Sequence, residues 1–426
     1  MSVVFLWITV AAVLIGLPIV FGLVIGPMLG FLIDGRAAFL NSSAQRLYAG
    51  IDNFPLLAIP LFVLAGDLMN RGTITTRLVA FANMLVGRLR GGLAHVNILS
   101  SVLFAGLSGS AVADVSALGS MLIPAMEKDG YTREYATAVT AASCIIGPII
   151  PPSIIMIVYA YVMGVSVGAL FAAGFIPGVL MGLALSSVVA LQGKKLNLPK
   201  RETRQTFREK MRITQESILP LMTPVIILGG ILSGAVTPTE AAVLAVLYAG
   251  GLSLVRREMK LTELPGIFLK SGTSAATILL LVGAAAMFGW VLTISQVPQR
   301  LGMLILGISD SPYVFLMIVN FLLFGAGMLL DAGPAILILG PILGPTVVKL
   351  GIDPVHFAAV MCINLSVGLV TPPFGLALFA SSTVGKVPVN TLVRTMLPFF
   401  LAQVIVIMLV TYIPAISLTL PRLLSV

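Results

Sequence analysis

Charged side chains are scarce in this chain. Lys, Arg, Asp and Glu make up only 10% of its 426 residues, whereas 58% are hydrophobic and the mean hydropathy is +1.09. A soluble domain carries about 25% charged residues. So little charge could not cover the surface of a globular core. The composition therefore excludes a soluble enzyme, a nucleic-acid-binding domain and a disordered protein, and it indicates an all-α polytopic membrane protein.

Residues that ligate metals or act as nucleophiles are equally few. The two cysteines, Cys144 and Cys362, lie in apolar runs, and the two histidines, His95 and His356, are too few for a metal cluster. The sequence contains no P-loop, HExxH motif or Ser/His/Asp set. We therefore expect a protein that is not an enzyme, has no cofactor and does not use ATP by itself.

Of the net charge of +9, one stretch supplies +5, because it carries eight basic and three acidic residues over 193–217. Basic loops between apolar segments are typical of the cytoplasmic face. The sequence therefore predicts a cytoplasmic linker there, rather than a nucleic-acid partner.

Apolar segments of about 20 residues predict roughly ten membrane spans plus broken elements. The first segment, 3–33, is expected to be one long retained span and not a signal peptide. The others are 54–69, 79–86, 95–124, 131–163, 166–191, 218–232, 239–254, 273–297, 314–348, 357–383 and 395–420.

Four of these segments are interrupted by Gly and Pro, near 106–110, 147–152, 325–333 and 371–373. Lipid cannot satisfy the backbone groups freed at such breaks, so they are tolerated only when they are buried in protein or line a cavity. The sequence therefore predicts two re-entrant helical hairpins, 94–125 and 314–348, and two broken helices, 131–163 and 357–383.

The two sets of breaks belong to an internal repeat with an offset of 221 residues. Eight Gly or Pro positions coincide within 72 residues, where composition predicts roughly one. The coincident pairs are 106/327, 124/345, 130/351, 147/368, 151/372, 152/373, 164/385 and 177/398. Counting spans from the basic loops favours hairpins that start from opposite membrane faces. Inverted repeats with broken helices are typical of secondary transporters; a duplication whose breaks are only packing kinks is the alternative.

The first hairpin tip carries two hydroxyls, Ser108 and Ser110, beside the carbonyls that the prolines of 147–152 leave free. Oxygen ligands of this kind suit hard cations, and half-helix N-termini suit anions. A close contact of small residues between helices is the alternative.

The second tip places a carboxylate, Asp331, where the first has Ser110, and Thr371 where the first has Ile150. An ionisable residue at membrane depth predicts a functional role, here as a cation ligand. Capping of the following half-helix is the alternative for Asp331, and the two roles are compatible.

Three other acidic residues are predicted to be structural. Thr237 and Glu240 are expected to start a helix. Asp67 and Asp114 are expected near the membrane interface, without an assigned role.

Several segments in order resemble the large membrane subunit of TRAP (tripartite ATP-independent periplasmic) transporters: SGSAVAD at 108–114, AASCIIGPIIPP at 141–152, TPTEAA at 237–242 and TPP at 371–373. The resemblance covers essentially the whole chain. It implies a sodium-driven importer of organic acids in the bacterial inner membrane, working by an elevator mechanism. It also implies a periplasmic substrate-binding protein and a small four-helix membrane subunit, expected here as a separate polypeptide.

The resemblance also implies site residues. The first sodium site would use Ser108, Ser110, Gly147, Ile150 and Pro152, several through the backbone, and the second would use Gly327, Asp331, Gly368 and Thr371. The substrate would contact Ser108, Gly109, Ser110, Asp331 and Thr371 between the tips. Sialic acid and C4-dicarboxylates are both typical substrates of similar chains, with the tips closer to sialic-acid members.

The implied organisation has scaffold helices at 1–92 and 218–313. Transport repeats lie at 93–192 and 314–426, and the linker at 193–217 joins the halves. Two other classes stay open. A stand-alone sodium–carboxylate symporter would need neither partner, and a channel would show flux without saturation.

Overall fold

The computed structural model describes residues 4–71, 74–200, 206–307 and 311–425, and within these ranges the chain is helical without strands. The helices of the first half are α1 (Val4–Leu14), α2 (Ile19–Ile33), α3 (Leu40–Ile51), α4 (Ala58–Arg71), α5 (Ile74–Val86), α6 (Gly92–Ser108), α7 (Ala111–Asp114), α8 (Ser120–Lys128), α9 (Arg133–Ser143), α10 (Ile154–Met163) and α11 (Val167–Lys195). A π-helical turn, Val115–Gly119, joins α7 and α8 into one arm.

The helices of the second half are α12 (Phe207–Leu232), α13 (Pro238–Val255), α14 (Leu264–Ile294), α15 (Val297–Leu306), α16 (Pro312–Leu329), α17 (Ala332–Lys349), α18 (Pro354–Gly368), α19 (Leu376–Gly385), α20 (Val389–Tyr412) and α21 (Ala415–Leu424). Adding 221 to the bounds of α6, of the α7–α8 arm and of α9 reproduces the starts of α16, α17 and α18 to within one residue. The repeat predicted from Gly and Pro positions is therefore also a repeat of helices.

Helix directions in the first half follow from contacts across the break. Met156 of α10 lies against Gly174 of α11, Ile150 in the break lies against Gly178, and Ile146 just before the break lies 3.9 Å from a Cβ atom placed on Gly182. Positions along α11 therefore fall from 182 to 174 as positions across the break rise from 146 to 156. Because α11 is antiparallel to the chain on both sides of the break, α9 and α10 run in the same direction. The pairs Asn97–Thr140 and Ser101–Ser143 show that α6 runs parallel to α9.

The second hairpin runs the opposite way. Helices α10 and α17 begin at one shared cavity, and further along Val162 of α10 contacts Gly340 of α17. These two helices are therefore parallel, so α16, the other arm of that hairpin, is antiparallel to α10 and to α6. The predicted inversion of the two hairpins is confirmed by these directions.

The packing between the halves is reciprocal. Helix α10 packs on α17, and its equivalent α19 packs on the α7–α8 arm; likewise α9 packs on α20, and its equivalent α18 packs on α11. Each half therefore contributes a helix that packs against the hairpin of the other half.

The expected single span at 3–33 is wrong. Phe5 lies against Gly30 and Ala12 against Gly22, so α1 and α2 form an antiparallel hairpin. The chain reverses at Gly16, whose φ of +92° is a conformation that favours glycine, and Pro18 precedes α2. The expected single segment at 395–420 is likewise divided, between α20 and α21 at Pro414.

The described residues of the predicted linker are largely helical. Helix α11 continues to Lys195 and α12 begins at Phe207, because Thr206 and Glu209 form a capping box. In it Thr206 Oγ1 accepts from the Glu209 amide at 3.3 Å and Glu209 Oε2 accepts from the Thr206 amide at 2.8 Å.

Among the described residues, seven helices are long and apolar enough to cross a membrane, or up to eight if the pair 37–69, bent by 62°, counts as one span. This is fewer than the roughly ten predicted, because α1, α2, α5, α6 and α10 have 10–17 residues each. The predicted helix start at Thr237 is confirmed, with Thr237 and Glu240 forming a capping box.

Asp67 connects two helices of the predicted scaffold. Its carboxylate pairs with Lys270 Nζ at 2.6 Å and accepts a hydrogen bond from Ser271 Oγ at 2.8 Å, which ties α4 to α14.

Candidate functional site

The two hairpin tips meet at one cavity of about 150 Å³. Gly109 and Ser110 line it from the first tip, and Asp331 and Gly333 line it from the second. The remaining walls are apolar and come from α10, from α14 through residues such as Val282, and from both breaks. The cavity thus combines a few polar groups at the tips with an apolar enclosure, as is typical of small-molecule sites.

The first tip is a tight turn between α6 and the α7–α8 arm. Gly109 makes the turn with φ +58°, and Ser110 is the last extended residue before the arm begins. A Cβ atom on Gly109 would lie 3.0 Å from the carbonyl oxygen of Pro152, so the tip sits directly on the first break. The side chain of Ser108 lies outside the described part of the structure.

The second tip is extended through Leu330 and Asp331. Asp331 Oδ1 accepts a hydrogen bond from the Ala332 amide at 2.8 Å, so the carboxylate caps α17 while facing the cavity. The capping alternative is therefore observed. The role as a cation ligand stays a prediction.

Both breaks hold a glycine in close contact with the hairpin of the same half. A Cβ atom on Gly147 would overlap Oδ2 of Asp114, and one on Gly368 would lie 3.0 Å from the carbonyl oxygen of Gly327. Gly147 and Gly368 occupy equivalent positions in the repeat. The Pro151–Pro152 and Pro372–Pro373 peptides beyond them are both cis.

Not all of the predicted site residues share the cavity. Thr371 lines a separate, largely apolar cavity of about 290 Å³ with Phe324 and Phe400. Its hydroxyl donates to the carbonyl oxygen of Val367 at 2.8 Å, which turns the side chain back toward α18. Ile150 likewise packs its side chain against Gly178, so its carbonyl is the group left for the predicted role.

Asp114 is a residue whose place the sequence reasoning missed. It was expected near the membrane interface, but it is 1% exposed and lies against the first break at Gly147. Its amide donates to the carbonyl oxygen of Ser110 at 3.0 Å, one helical turn away. Asp114 follows Ser110 by four residues, which is one helical turn, and this spacing could have placed Asp114 beside the tip.

An inverted pair of helical hairpins with both tips at one cavity, in an all-α polytopic membrane protein, is the arrangement typical of a transporter. The chain belongs to the family described as "Tripartite ATP-independent periplasmic transporter, DctM component", whose family model matches residues 5–416. It is thus a large permease of the TRAP type.

Named relatives agree with this family. The chain is 43% identical to the sialic acid TRAP transporter large permease protein SiaM of Vibrio cholerae, over 96% of this chain and 95% of that one. It is 41% identical to the C4-dicarboxylate TRAP transporter large permease protein DctM of Pseudomonas aeruginosa, over 90% of each. The fold is also similar to the crystal structure of the YdaH transporter of Alcanivorax borkumensis, with a TM-score of 0.62 and 17% identity over 89% of this chain and 88% of that one.

Proposed function

We propose that this chain is the large membrane subunit of a sodium-coupled importer of an organic acid anion in the bacterial inner membrane. A periplasmic substrate-binding protein delivers the anion, and a small membrane subunit completes the transporter. The substrate is a carboxylate of the sialic acid or C4-dicarboxylate type, because two relatives that are more than 40% identical to this chain are named for these two.

One observation carries the proposal: Ser110 and Asp331 approach a single cavity from two hairpins that run in opposite directions. The arms that follow both residues begin at the cavity, so their positive helix ends favour the carboxylate of a substrate there. Asp331 and the carbonyls of the breaks supply the oxygen ligands that sodium prefers.

The wall formed by α14 supports an elevator mechanism. Ile278, Leu281 and Val282 present an apolar face to the cavity, whereas an earlier turn of the same helix is fixed to α4 by the Asp67–Lys270 pair. A static apolar wall allows the hairpin bundle to slide past it without breaking polar contacts. We therefore assign α14 to the scaffold and the hairpins to the moving unit.

The test of the function is uptake into proteoliposomes that contain this chain and its small subunit. Labelled sialic acid and labelled succinate are supplied separately, with or without the binding protein, under an inward sodium gradient or an equal gradient of choline. We expect uptake of one substrate that requires both sodium and the binding protein. Uptake by the chain alone would instead assign it to the stand-alone symporters.

The elevator step is tested by linking α14 to α17. A Cβ atom on Gly289 would lie 3.8 Å from Pro341 Cγ, so the pair Gly289→Cys and Pro341→Cys can be cross-linked. Both native cysteines are buried and give little background. We expect uptake to stop on cross-linking and to return on reduction, with each single variant unaffected. Full uptake in the cross-linked protein would contradict relative movement of these helices.

A further inference from the structure

Buried polar side chains join the first arm of each hairpin to the helix that leads into the break. In the first half, Asn97 Nδ2 donates to Thr140 Oγ1 at 2.7 Å, and Ser101 Oγ donates to Ser143 Oγ at 3.0 Å. Ser143 Oγ also donates to Asn97 Oδ1 at 3.2 Å. We call these four residues the first clasp. All four are at most 1% exposed.

The second half has a corresponding connection. Asn364 Nδ2 donates to Asn320 Oδ1 at 2.8 Å, and Asn320 Nδ2 donates to Thr411 Oγ1 at 3.0 Å. We call these three residues the second clasp. They too are buried, and they connect α16 to α18 and to the end of α20.

The clasps occupy equivalent places although most of their residues differ. Ser143 falls on Asn364 in the repeat, and each precedes its break glycine, Gly147 or Gly368, by four residues, which is one helical turn. Leu99, by contrast, occupies the position equivalent to Asn320. Each half therefore has a hydrogen-bonded contact one helical turn before its break glycine, and each forms it with different side chains.

A polar contact here needs a reason, because an apolar one would cost less to bury. Apolar surfaces tolerate small shifts, whereas hydrogen bonds fix distance and direction. Further along each clasped arm, toward its tip, the arm meets the break. A Cβ atom on Gly106 of α6 would lie 3.6 Å from the carbonyl oxygen of Pro151, and one on Gly327 of α16 would lie 3.1 Å from the Cα atom of Gly368. A shift of the arm would therefore change the spacing of the carbonyls at the break.

We propose that the two clasps are positioning residues for the coupling ion, holding each hairpin arm in register with its break so that the oxygen ligands keep their spacing. This inference rests on the proposed sodium coupling. The clasps do not touch the ion; they act through the backbone of the tips and the breaks. Their loss should therefore weaken sodium binding more than substrate binding.

The test compares Thr140→Val with Thr140→Ser in the reconstituted transporter. Valine has the same shape as threonine but leaves Asn97 Nδ2 without this acceptor, whereas serine retains the hydroxyl. We expect Thr140→Val to raise the sodium concentration for half-maximal uptake by about five- to tenfold, the effect of losing one buried hydrogen bond. The substrate KM at saturating sodium should change less than about twofold, and Thr140→Ser should follow the wild type. Asn320→Leu should give the same shift through the second clasp.

A control variant separates positioning from general loss of stability. Thr9→Val removes a buried hydroxyl that donates to the carbonyl oxygens of Phe5 and Gly22 in the α1–α2 hairpin, far along the chain from both tips. Its sodium dependence should match the wild type. Sodium-induced thermal stabilisation in detergent, measured against choline, gives a second readout that does not require transport.

The outcomes distinguish failure of the proposed sodium coupling from failure of the proposed role of the clasps. A wild-type transporter without sodium dependence would reject the coupling itself. If the wild type depends on sodium but Thr140→Val and Thr140→Ser have the same sodium curve, the clasp proposal is overturned. If Thr140→Val does not assemble, Ser101→Ala removes a hydrogen bond of the same clasp with a smaller change in shape and decides the question.

Discussion

Asp331 and Asp353 each cap the helix that follows, yet only Asp331 lines the cavity. Asp331 Oδ1 accepts from the Ala332 amide, and Asp353 Oδ1 accepts from the Val355 amide, both at 2.8 Å. Both residues are exposed, but Asp331 lines the cavity between the tips, whereas Asp353 starts α18 and does not line it. The pair therefore separates the structural contribution of a capping aspartate from the effect of a negative charge at the site.

We predict that Asp331→Asn lowers sodium-dependent uptake by about tenfold or more, because asparagine caps a helix nearly as well as aspartate but lacks the charge that attracts a cation. Asp353→Asn should leave uptake unchanged. The measurement is initial uptake against sodium concentration in proteoliposomes with equal amounts of assembled transporter. Identical sodium curves for the two variants would remove Asp331 from the ion site.

The hydroxyls of the first tip give a second prediction. The double variant Ser108→Ala with Ser110→Ala should require several-fold more sodium for half-maximal uptake, since each substitution removes an oxygen ligand proposed for the cation. Ser116→Ala is the matched control, because Ser116 Oγ donates to the Val112 carbonyl on the exposed side of the same arm. Wild-type sodium dependence in the double variant would leave the first tip as a packing contact only.

The glycines of α16 give a third prediction, which concerns stability. A Cβ atom on Gly327 would lie 2.9 Å from the carbonyl oxygen of Leu365, whereas one on Gly325 would have no neighbour within 4 Å. We expect Gly327→Ala to destabilise the protein by about 1–3 kcal/mol through overpacking. Gly325→Ala should be neutral or stabilising, because alanine favours the helix. Thermal unfolding in detergent checks both, and equal melting temperatures would contradict the close contact.

Cysteine labelling gives a fourth prediction. Val112 lines the cavity and is 40% exposed, while Cys144 and Cys362 are buried. A charged thiol reagent should therefore label Val112→Cys, and the transported substrate should slow the reaction. Leu191→Cys, at an 80% exposed position of α11, should be labelled at the same rate with and without substrate. No protection at Val112→Cys would place the substrate outside this cavity.

The hairpins and breaks could be predicted from the sequence because Gly and Pro mark chain reversals directly. The bounds of α17, for example, follow from those of the α7–α8 arm through the repeat alone. The α1–α2 hairpin was missed because its apolar pattern is continuous through Gly16 and Pro18, and hydropathy does not distinguish one long helix from two short ones.

Two site details could not be read from the sequence for a different reason. The side on which Thr371 emerges depends on its hydrogen bond to the Val367 carbonyl. The burial of Asp114 depends on how the arm packs against the break. Both are properties of tertiary packing, which residue type and spacing do not determine.

The reciprocal packing of the two halves has a consequence for the direction of transport. Because α10 rests on α17 as α19 rests on the α7–α8 arm, the hairpins and broken helices of the two halves are built to nearly the same plan. Such a framework has no intrinsic front and back. Net flux must then be decided by the gradients across the membrane, by the proposed partner that supplies substrate on one side, and by the few places where the halves differ, such as serine at one tip and aspartate at the other.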